Sequence, residues 1–180
     1  MGSSGTKNIT HIADGIDAFL KAEKELAGEF QWLVGNREGE QVGSFALLKG
    51  GEITDSSLEV IAYPSTSTDR GAECRFKILL CVHRCVWRID FDPSDKFHIN
   101  PADRSELIGE GIVYGPHYHA WSDNKHLATA TVLPKKLTCA RTLPLQVRRW
   151  EQAFRWFCGE TGIVLGDMTI PRLPEREELF

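Results

Sequence analysis

The chain has 180 residues, with 21 basic and 25 acidic side chains and a formal net charge of −4. Hydrophobic residues make up 42% of it, which suits one domain with its own core and excludes a disordered or collagen-like chain. The apolar runs are a few residues long, against the roughly 20 of a membrane-spanning helix, so no membrane association is expected. The acidic balance argues against a DNA-coating role.

The cysteines predict a reducing compartment. They number five, and they lie in apolar or strand-like segments: Cys74, Cys81, Cys85, Cys139 and Cys158. An odd number in such segments is not typical of a disulfide scaffold. Cys81 and Cys85 form a C-x3-C pair, but no second pair follows at zinc-ribbon spacing. We therefore expect buried free thiols in a cytoplasmic protein.

The first half of the chain predicts one helix followed by strands. Residues 1–5 resemble a cloning remnant, so residues 6–180 are taken as a single α+β domain. Apolar residues recur at helical spacing over 12–27, which predicts the first helix. Short β-rich runs then predict an antiparallel meander, with strands at 30–34, 42–48 and 58–63.

Two longer strands are predicted between residues 73 and 91, and they give the sheet one charged face. Phe76, Ile78 and Leu80 alternate with Arg75 and Lys77 along the first strand. In the second strand, Trp87 and Ile89 alternate with Arg88 and Asp90. Because side chains alternate across a strand, the charged residues share the face opposite the core.

The second half predicts a long loop, two more strands and a final helix. Residues 92–110 are taken as a loop long enough to be functional, and strands are predicted at 112–121 and 126–133. A C-terminal helix is predicted at 144–158, followed by a loosely ordered tail over 171–180. The expected fold is α+β, with N-terminal and C-terminal helices and an antiparallel sheet of about six to seven strands that could close into a barrel.

A histidine cluster at 115–126 is the main candidate site. On a strand, His117, His119 and Trp121 share one face, and a turn at 122–125 would place His126 on the same face. Neutral imidazoles at such positions can bind a divalent transition metal, so His117 and His119 are predicted ligands, with a third ligand from His126, His98 or Asp123. His98 lies in the 92–110 loop and could fold over this cluster.

A metal-free alternative uses His117 and His119 as general base and general acid. Such a pair suits the cleavage of RNA or another phosphodiester, because the 2′-hydroxyl of RNA supplies the attacking group. Arg75, Lys77 or Arg88 would then stabilise the phosphate charge. Trp121 would offer a surface on which a base could stack.

A cupin-like alternative rests on the spacing of one motif. Gly111, five further residues and His117-x-His119 match the opening of the first cupin motif, with Asp123 where a glutamate ligand is expected. The second, downstream motif is missing from the chain. This alternative would give a metal-dependent enzyme acting on a small molecule inside a closed barrel.

Three segments together resemble a prokaryotic family of small proteins that is known only as a domain of unknown function. They are Arg75-Phe76-Lys77-Ile78-Leu79-Leu80, the H-x-N-P motif from His98 to Pro101, and the G-P-H-x-H motif from Gly115 to His119. The resemblance covers about the last two-thirds of the chain, including the C-terminal helix and the Leu-Phe ending. It implies a bacterial or phage origin and a compact α+β domain, and it places His98, Asn100, His117 and His119 at matching motif positions.

These observations predict a small hydrolase, such as a nuclease or phosphodiesterase of the mobile-element or phage-defence type. His117 and His119 would act as ligands or as acid and base, assisted by His98 and Asn100. The alternative is a non-enzymatic protein, such as an antitoxin or a phage-encoded inhibitor, that binds a protein partner. It would dock through the charged sheet face, with Trp121 as an anchor.

Overall fold

The protein has an α+β fold built on a nine-strand open sheet that is mostly antiparallel. A computed structural model describes residues 12–63 and 75–174. The predicted cloning remnant and residues 175–180 lie outside this description. The four described α-helices are α1 (Ile12–Lys21), α2 (Ala102–Ile108), α3 (Trp121–Asn124) and α4 (Trp150–Glu160). None of these helices is long and apolar enough to cross a bilayer.

The strands run in the spatial order β10-β9-β6-β5-β4-β3-β1-β11, with β2 paired to β3, and β7 and β8 form a separate two-stranded ribbon. Their bounds are β1 (Lys24–Ala27), β2 (Leu33–Val34), β3 (Gln41–Lys49), β4 (Glu52–Tyr63), β5 (Arg75–Val82), β6 (Arg84–Phe91), β7 (Phe97–Ile99), β8 (Ile112–Tyr114), β9 (His117–His119), β10 (Arg141–Thr142) and β11 (Ile163–Val164).

The core lies between α4 and one face of the central strands. Phe76, Ile78 and Leu80 of β5 are fully buried, as the alternation of the sequence predicted. Phe76 meets Trp150 of α4 with ring centroids 4.9 Å apart, and Trp87 of β6 meets Phe157 at 5.1 Å. The predicted meander is confirmed, because β2, β3 and β4 pair antiparallel in chain order, and β5 and β6 continue the same pattern.

The barrel-like closure is wrong. Among the described residues, β10 and β11 lie at opposite ends of the sheet and do not pair with each other. Each of these end strands has only two residues, so neither could continue the ladder around a barrel. The closed barrel required by the cupin-like alternative is therefore contradicted as well.

The first helix ends earlier than predicted, at Lys21, and residues 24–27 form β1. Lys24 explains the early end, because its buried ammonium group donates hydrogen bonds to the carbonyls of Phe19 and Ala22, both at 2.6 Å. These bonds satisfy carbonyl oxygens left without partners at the end of a helix. Gly162 passes beside this cap with φ +69°, where a Cβ atom would lie 2.7 Å from the carbonyl oxygen of Ala22.

The region from 92 to 133 differs most from its prediction. The expected loop at 92–110 contains β7 and α2. The expected strand at 112–121 is divided into β8 and β9 at Gly115-Pro116, where Gly115 has φ +67°. Residues 126–133 form no strand, because α3 and a 3₁₀ helix (Lys125–Leu127) follow β9 directly.

The described start of the tail packs onto the domain. The carbonyl oxygen of Pro171 accepts a hydrogen bond of 2.6 Å from Trp150 Nε1. The next carbonyl oxygen, that of Arg172, accepts one of 3.0 Å from Trp32 Nε1. Residues 171–174 are therefore tied to α4 and to the segment before β2.

Lys24 gives the first prediction. Burial, assisted by the charge of Lys49, lowers the pKa of Lys24 to about 8, below the value of about 10.4 expected in an unfolded chain. Between these values the unfolded chain binds more protons, so the free energy of unfolding rises with pH. Lys24→Met should remove this rise. Urea unfolding of wild type and variant between about pH 8 and about pH 10 gives the free energy of unfolding of each protein, and the two pH dependences are compared.

The exposed residue Lys21, in the last turn of α1, supplies the control. Lys21→Met should keep the wild-type rise in the free energy of unfolding. The explanation would be contradicted if Lys24→Met kept the same rise.

Candidate metal centre

The pairing of β6 with β9 brings four polar side chains onto one face of the sheet. In this antiparallel register Arg88 lies opposite His119, and Asp90 lies opposite His117. These residues alternate with Ile89 and Tyr118, which face the core side. The predicted common face of His117 and His119 is confirmed, and it is continuous with the predicted charged face of β6.

His98 joins this pair from the β7–β8 ribbon. Phe97 and Ile99 on either side of it are 58% and 63% exposed, so the alternation of β7 turns the His98 side chain inward. Its ring centroid lies 5.5 Å from that of His117 and 4.9 Å from that of His119. One ring nitrogen from each of the three imidazoles lies within 4.8 Å of the other two.

Backbone carbonyls orient all three imidazoles. The contacts are His98 Nε2 to the oxygen of Thr138 at 2.8 Å, His117 Nδ1 to that of Gly115 at 2.8 Å, and His119 Nδ1 to that of Cys139 at 3.0 Å. A carbonyl oxygen only accepts, so these nitrogens carry protons and donate. The other nitrogen of each ring is then the potential ligand, an arrangement that metal-binding histidines almost always adopt.

Asp90 contacts both β9 histidines and is a site residue that sequence reasoning missed. Its Oδ2 atom is 3.4 Å from His117 Nε2, 3.3 Å from His119 Nε2 and 2.8 Å from Arg88 Nη2. Lys77 Nζ approaches Oδ1 at 3.3 Å. The only sequence signal was an acidic residue beside Arg88 on the predicted charged face, inside a strand that is otherwise mostly apolar.

The surroundings of the three histidines and Asp90 shift their pKa values in different directions. Burial lowers the pKa of His119 to about 4, and the Arg88 guanidinium adds to this effect. Burial also lowers the pKa of His98. Burial alone would lower the pKa of His117 as well, but hydrogen bonds to Asp90 and Gly115 outweigh it and raise that pKa. Asp90 stays ionised, because His117, His119 and Arg88 outweigh its burial and lower its pKa.

The three histidines could hold a metal ion. Tetrahedral zinc with Zn–N bonds near 2.05 Å would place ligand nitrogens about 3.3 Å apart. Their ligand nitrogens lie within 4.8 Å of one another, so the rings would have to draw together to reach this spacing. Arg88 Nη2 lies 2.8 Å from His119 Nε2 and donates to it, so an ion would have to displace this contact.

Asn100 holds the backbone beside the three histidines. Its Nδ2 atom donates to the carbonyls of Glu110 and Ala140 at 2.7 and 2.8 Å, and its Oδ1 atom accepts from the N–H of Ala140 at 2.7 Å. A second asparagine, Asn124, makes the same pair of bonds with Cys139. Together they fix the backbone whose carbonyl oxygens at 138 and 139 orient His98 and His119.

His126 and Trp121 lie outside the cluster of His98, His117 and His119. The predicted hairpin is wrong, because α3 begins at Trp121 and turns the chain away from the β9 direction. His126 therefore lies exposed in the 3₁₀ helix, not on a strand beside His119. Trp121 is 1% exposed, so it can neither stack on a base nor anchor a partner.

The three predicted phosphate-binding cations lie along the solvent side of the site. The side chains of Lys77 and Arg88, which both approach Asp90, are 24% and 23% exposed. Arg75 is 38% exposed, pairs with Asp92 and lies over the Tyr63 ring. These cations line the charged sheet face that the sequence predicted.

Comparisons with protein families, with curated proteins and with solved structures found no match to this chain. The resemblance noted from the sequence therefore stays a prediction. The candidate site rests on the geometry of the three histidines and on the residues that orient them.

Asn100 gives the second prediction. Asn100→Ala would leave the buried N–H and carbonyl of Ala140 without partners, so the free energy of unfolding should fall by about 2–4 kcal/mol. Urea unfolding monitored by tryptophan fluorescence measures the change. Asn36 is exposed, and Asn36→Ala is the matched control, with an expected change below about 0.5 kcal/mol. Equal effects of the two substitutions would refute the supporting role of Asn100.

Proposed function

We propose that this protein is a metal-dependent hydrolase of phosphodiesters, of the nuclease or phosphodiesterase type. One divalent transition-metal ion is held by His98, His117 and His119. The observation that carries the proposal is the shared arrangement of the three rings. Each donates one N–H to a backbone carbonyl, and the cluster keeps a nitrogen from each ring within 4.8 Å of the others.

Burial favours the metal over the metal-free acid–base alternative. The side chains of His117 and His119 are 5% and 0% exposed. A general acid or base must come within hydrogen-bond distance of its substrate. A histidine that binds a metal ion need not touch the substrate itself, because the ion would make that contact. His98 is half-buried, so it marks the more accessible side of the cluster.

Three protein ligands are typical of a catalytic site, because they leave a coordination position for water or substrate. An ion bound there would lower the pKa of a water molecule and polarise a phosphoryl oxygen. The protein's own part is to fix the three rings through the carbonyls at 115, 138 and 139. Asp90 adds a fixed negative charge that offsets the charge of the ion.

The flanking charges favour an anionic substrate. Arg75, Lys77 and Arg88 carry three positive charges against the two negative charges of Asp90 and Asp92, before any ion is bound. Lys77 and Arg88 are partly exposed, so their donors can reach a phosphate at the edge of the site. A phosphodiester such as RNA meets this charge requirement.

Metal binding gives the third prediction. Wild-type protein without a histidine tag should bind one Zn²⁺ ion per chain in isothermal titration calorimetry. His119→Ala and His98→Ala should each weaken that affinity more than about 100-fold, because a lost ligand costs more than a lost supporting contact. His126→Ala removes an exposed histidine and should change the affinity less than about twofold. Equal Zn²⁺ affinity in all four proteins would contradict the three-histidine site.

Phosphodiester cleavage gives the fourth prediction. Zinc- or manganese-loaded protein should hydrolyse bis-p-nitrophenyl phosphate or a short RNA, and His119→Ala should abolish that activity. Lys77→Gln should lower kcat/KM roughly tenfold, because one charge that faces the phosphate is lost. Lys49 is exposed at the end of β3, three strands away from β6, so Lys49→Gln should leave kcat/KM unchanged. Full metal loading without hydrolysis of either substrate would contradict the enzymatic proposal and leave only the metal site.

A further inference from the structure

Two cysteines face each other across the tight β5–β6 hairpin. Cys81 and Cys85 are direct partners in the antiparallel register, and Val82 and Arg84 pair inside them. Only His83 remains at the tip, in the left-handed conformation with φ +57°. Directly opposed residues in an antiparallel pair have Cα atoms about 4.5–5.5 Å apart, within the range of about 4.4–6.8 Å that a disulfide spans.

The setting of this pair differs from that of the other described cysteines. Cys81 and Cys85 are both half-buried and can meet a small reagent, whereas Cys139 and Cys158 are 0% and 1% exposed. Hydrogen bonding with Cys81 lowers the pKa of Cys85, opposed by burial and assisted by the Arg88 guanidinium. The same partnership raises the pKa of Cys81. One thiol of the pair is thus the better nucleophile and the other the better resolving group.

We propose that Cys81 and Cys85 form a redox-active dithiol that closes reversibly to a disulfide by exchange with a small disulfide such as oxidised glutathione. Cys85 sulfur attacks one glutathione sulfur, which breaks the S–S bond and releases the first glutathione as a thiol. Cys81 sulfur then attacks Cys85 sulfur and releases the second. Both cysteine protons end on the two glutathione thiols, and two electrons pass from the protein to the glutathione disulfide.

The hairpin favours reversible chemistry over a permanent cross-link. The disulfide would close a loop of only a few residues, so it restricts the unfolded chain little. Such bonds have the higher reduction potentials of labile, regulatory disulfides. The pair lies on β5 and β6, the strands that carry Lys77, Arg88 and Asp90, but its chemistry does not depend on the proposed hydrolase function.

The test is exchange of the folded full chain with mixtures of reduced and oxidised glutathione, in buffer that contains a metal chelator. After acid quenching and blocking of free thiols, trypsin cuts after Lys77, Arg84 and Arg88. A Cys81–Cys85 disulfide therefore joins the peptides 78–84 and 85–88, and mass spectrometry detects the linked pair. We expect this pair to accumulate as the proportion of oxidised glutathione rises, and to disappear when dithiothreitol is added.

Two single variants distinguish a dithiol that closes to a disulfide from two thiols that react independently with glutathione. Cys81→Ser should lose the linked pair and accumulate a stable glutathione adduct on Cys85, because no resolving thiol remains. Cys85→Ser should lose the linked pair and form its adduct on Cys81 more slowly. The proposal is overturned if wild-type protein gives only glutathione adducts, gives a disulfide between other cysteines, or leaves both thiols reduced.

Discussion

The burial of Asp90 is the constraint on which the site depends. Its side chain is 5% exposed, and an isolated carboxylate at such a position would be strongly unfavourable. The fold compensates by placing Arg88 and Lys77 within 2.8 and 3.3 Å of its oxygens and His117 Nε2 at 3.4 Å. Electrostatic contacts of Asp90 therefore stabilise the pairing of β6 with β9, in addition to the backbone hydrogen bonds between the strands. The same charge that needs these partners is available to offset a bound cation.

The site is assembled from segments that are far apart in the chain. Asp90 and Arg88 come from β6, two histidines come from β9, and His98 comes from a separate ribbon laid over them. The segment at 138–140 joins these parts, because its carbonyls orient His98 and His119 while Asn100 and Asn124 hold its backbone. Hydrogen bonds to backbone carbonyls hold all three rings, which limits their freedom before any ion binds.

The sequence predicted the parts that follow from local periodicity, which is two residues in a strand and 3.6 in a helix. The meander, the charged face of β5 and β6, and the common face of His117 and His119 depend on side chains alternating across a strand. The C-terminal helix was predicted over 144–158 from its helical period, and α4 begins six residues later, at Trp150. The errors lie where local pattern competes with tertiary contacts. Lys24 ends α1 by capping it. In the second half, α3 turns Trp121 into the core, so the predicted hairpin does not form and His126 does not lie beside His119. The role of Asp90 depends on cross-strand register, which one sequence does not reveal.

The central claim is that His98, His117 and His119 together bind one metal ion. X-ray absorption spectroscopy at the zinc edge, on protein loaded with one Zn²⁺ per chain, tests it most directly because it reports the ligands themselves. We expect three imidazole nitrogens at about 2.0–2.1 Å from the zinc ion and one further light-atom ligand. A first shell of oxygen atoms with fewer than three imidazoles, or a shell containing cysteine sulfur at about 2.3 Å, would contradict it.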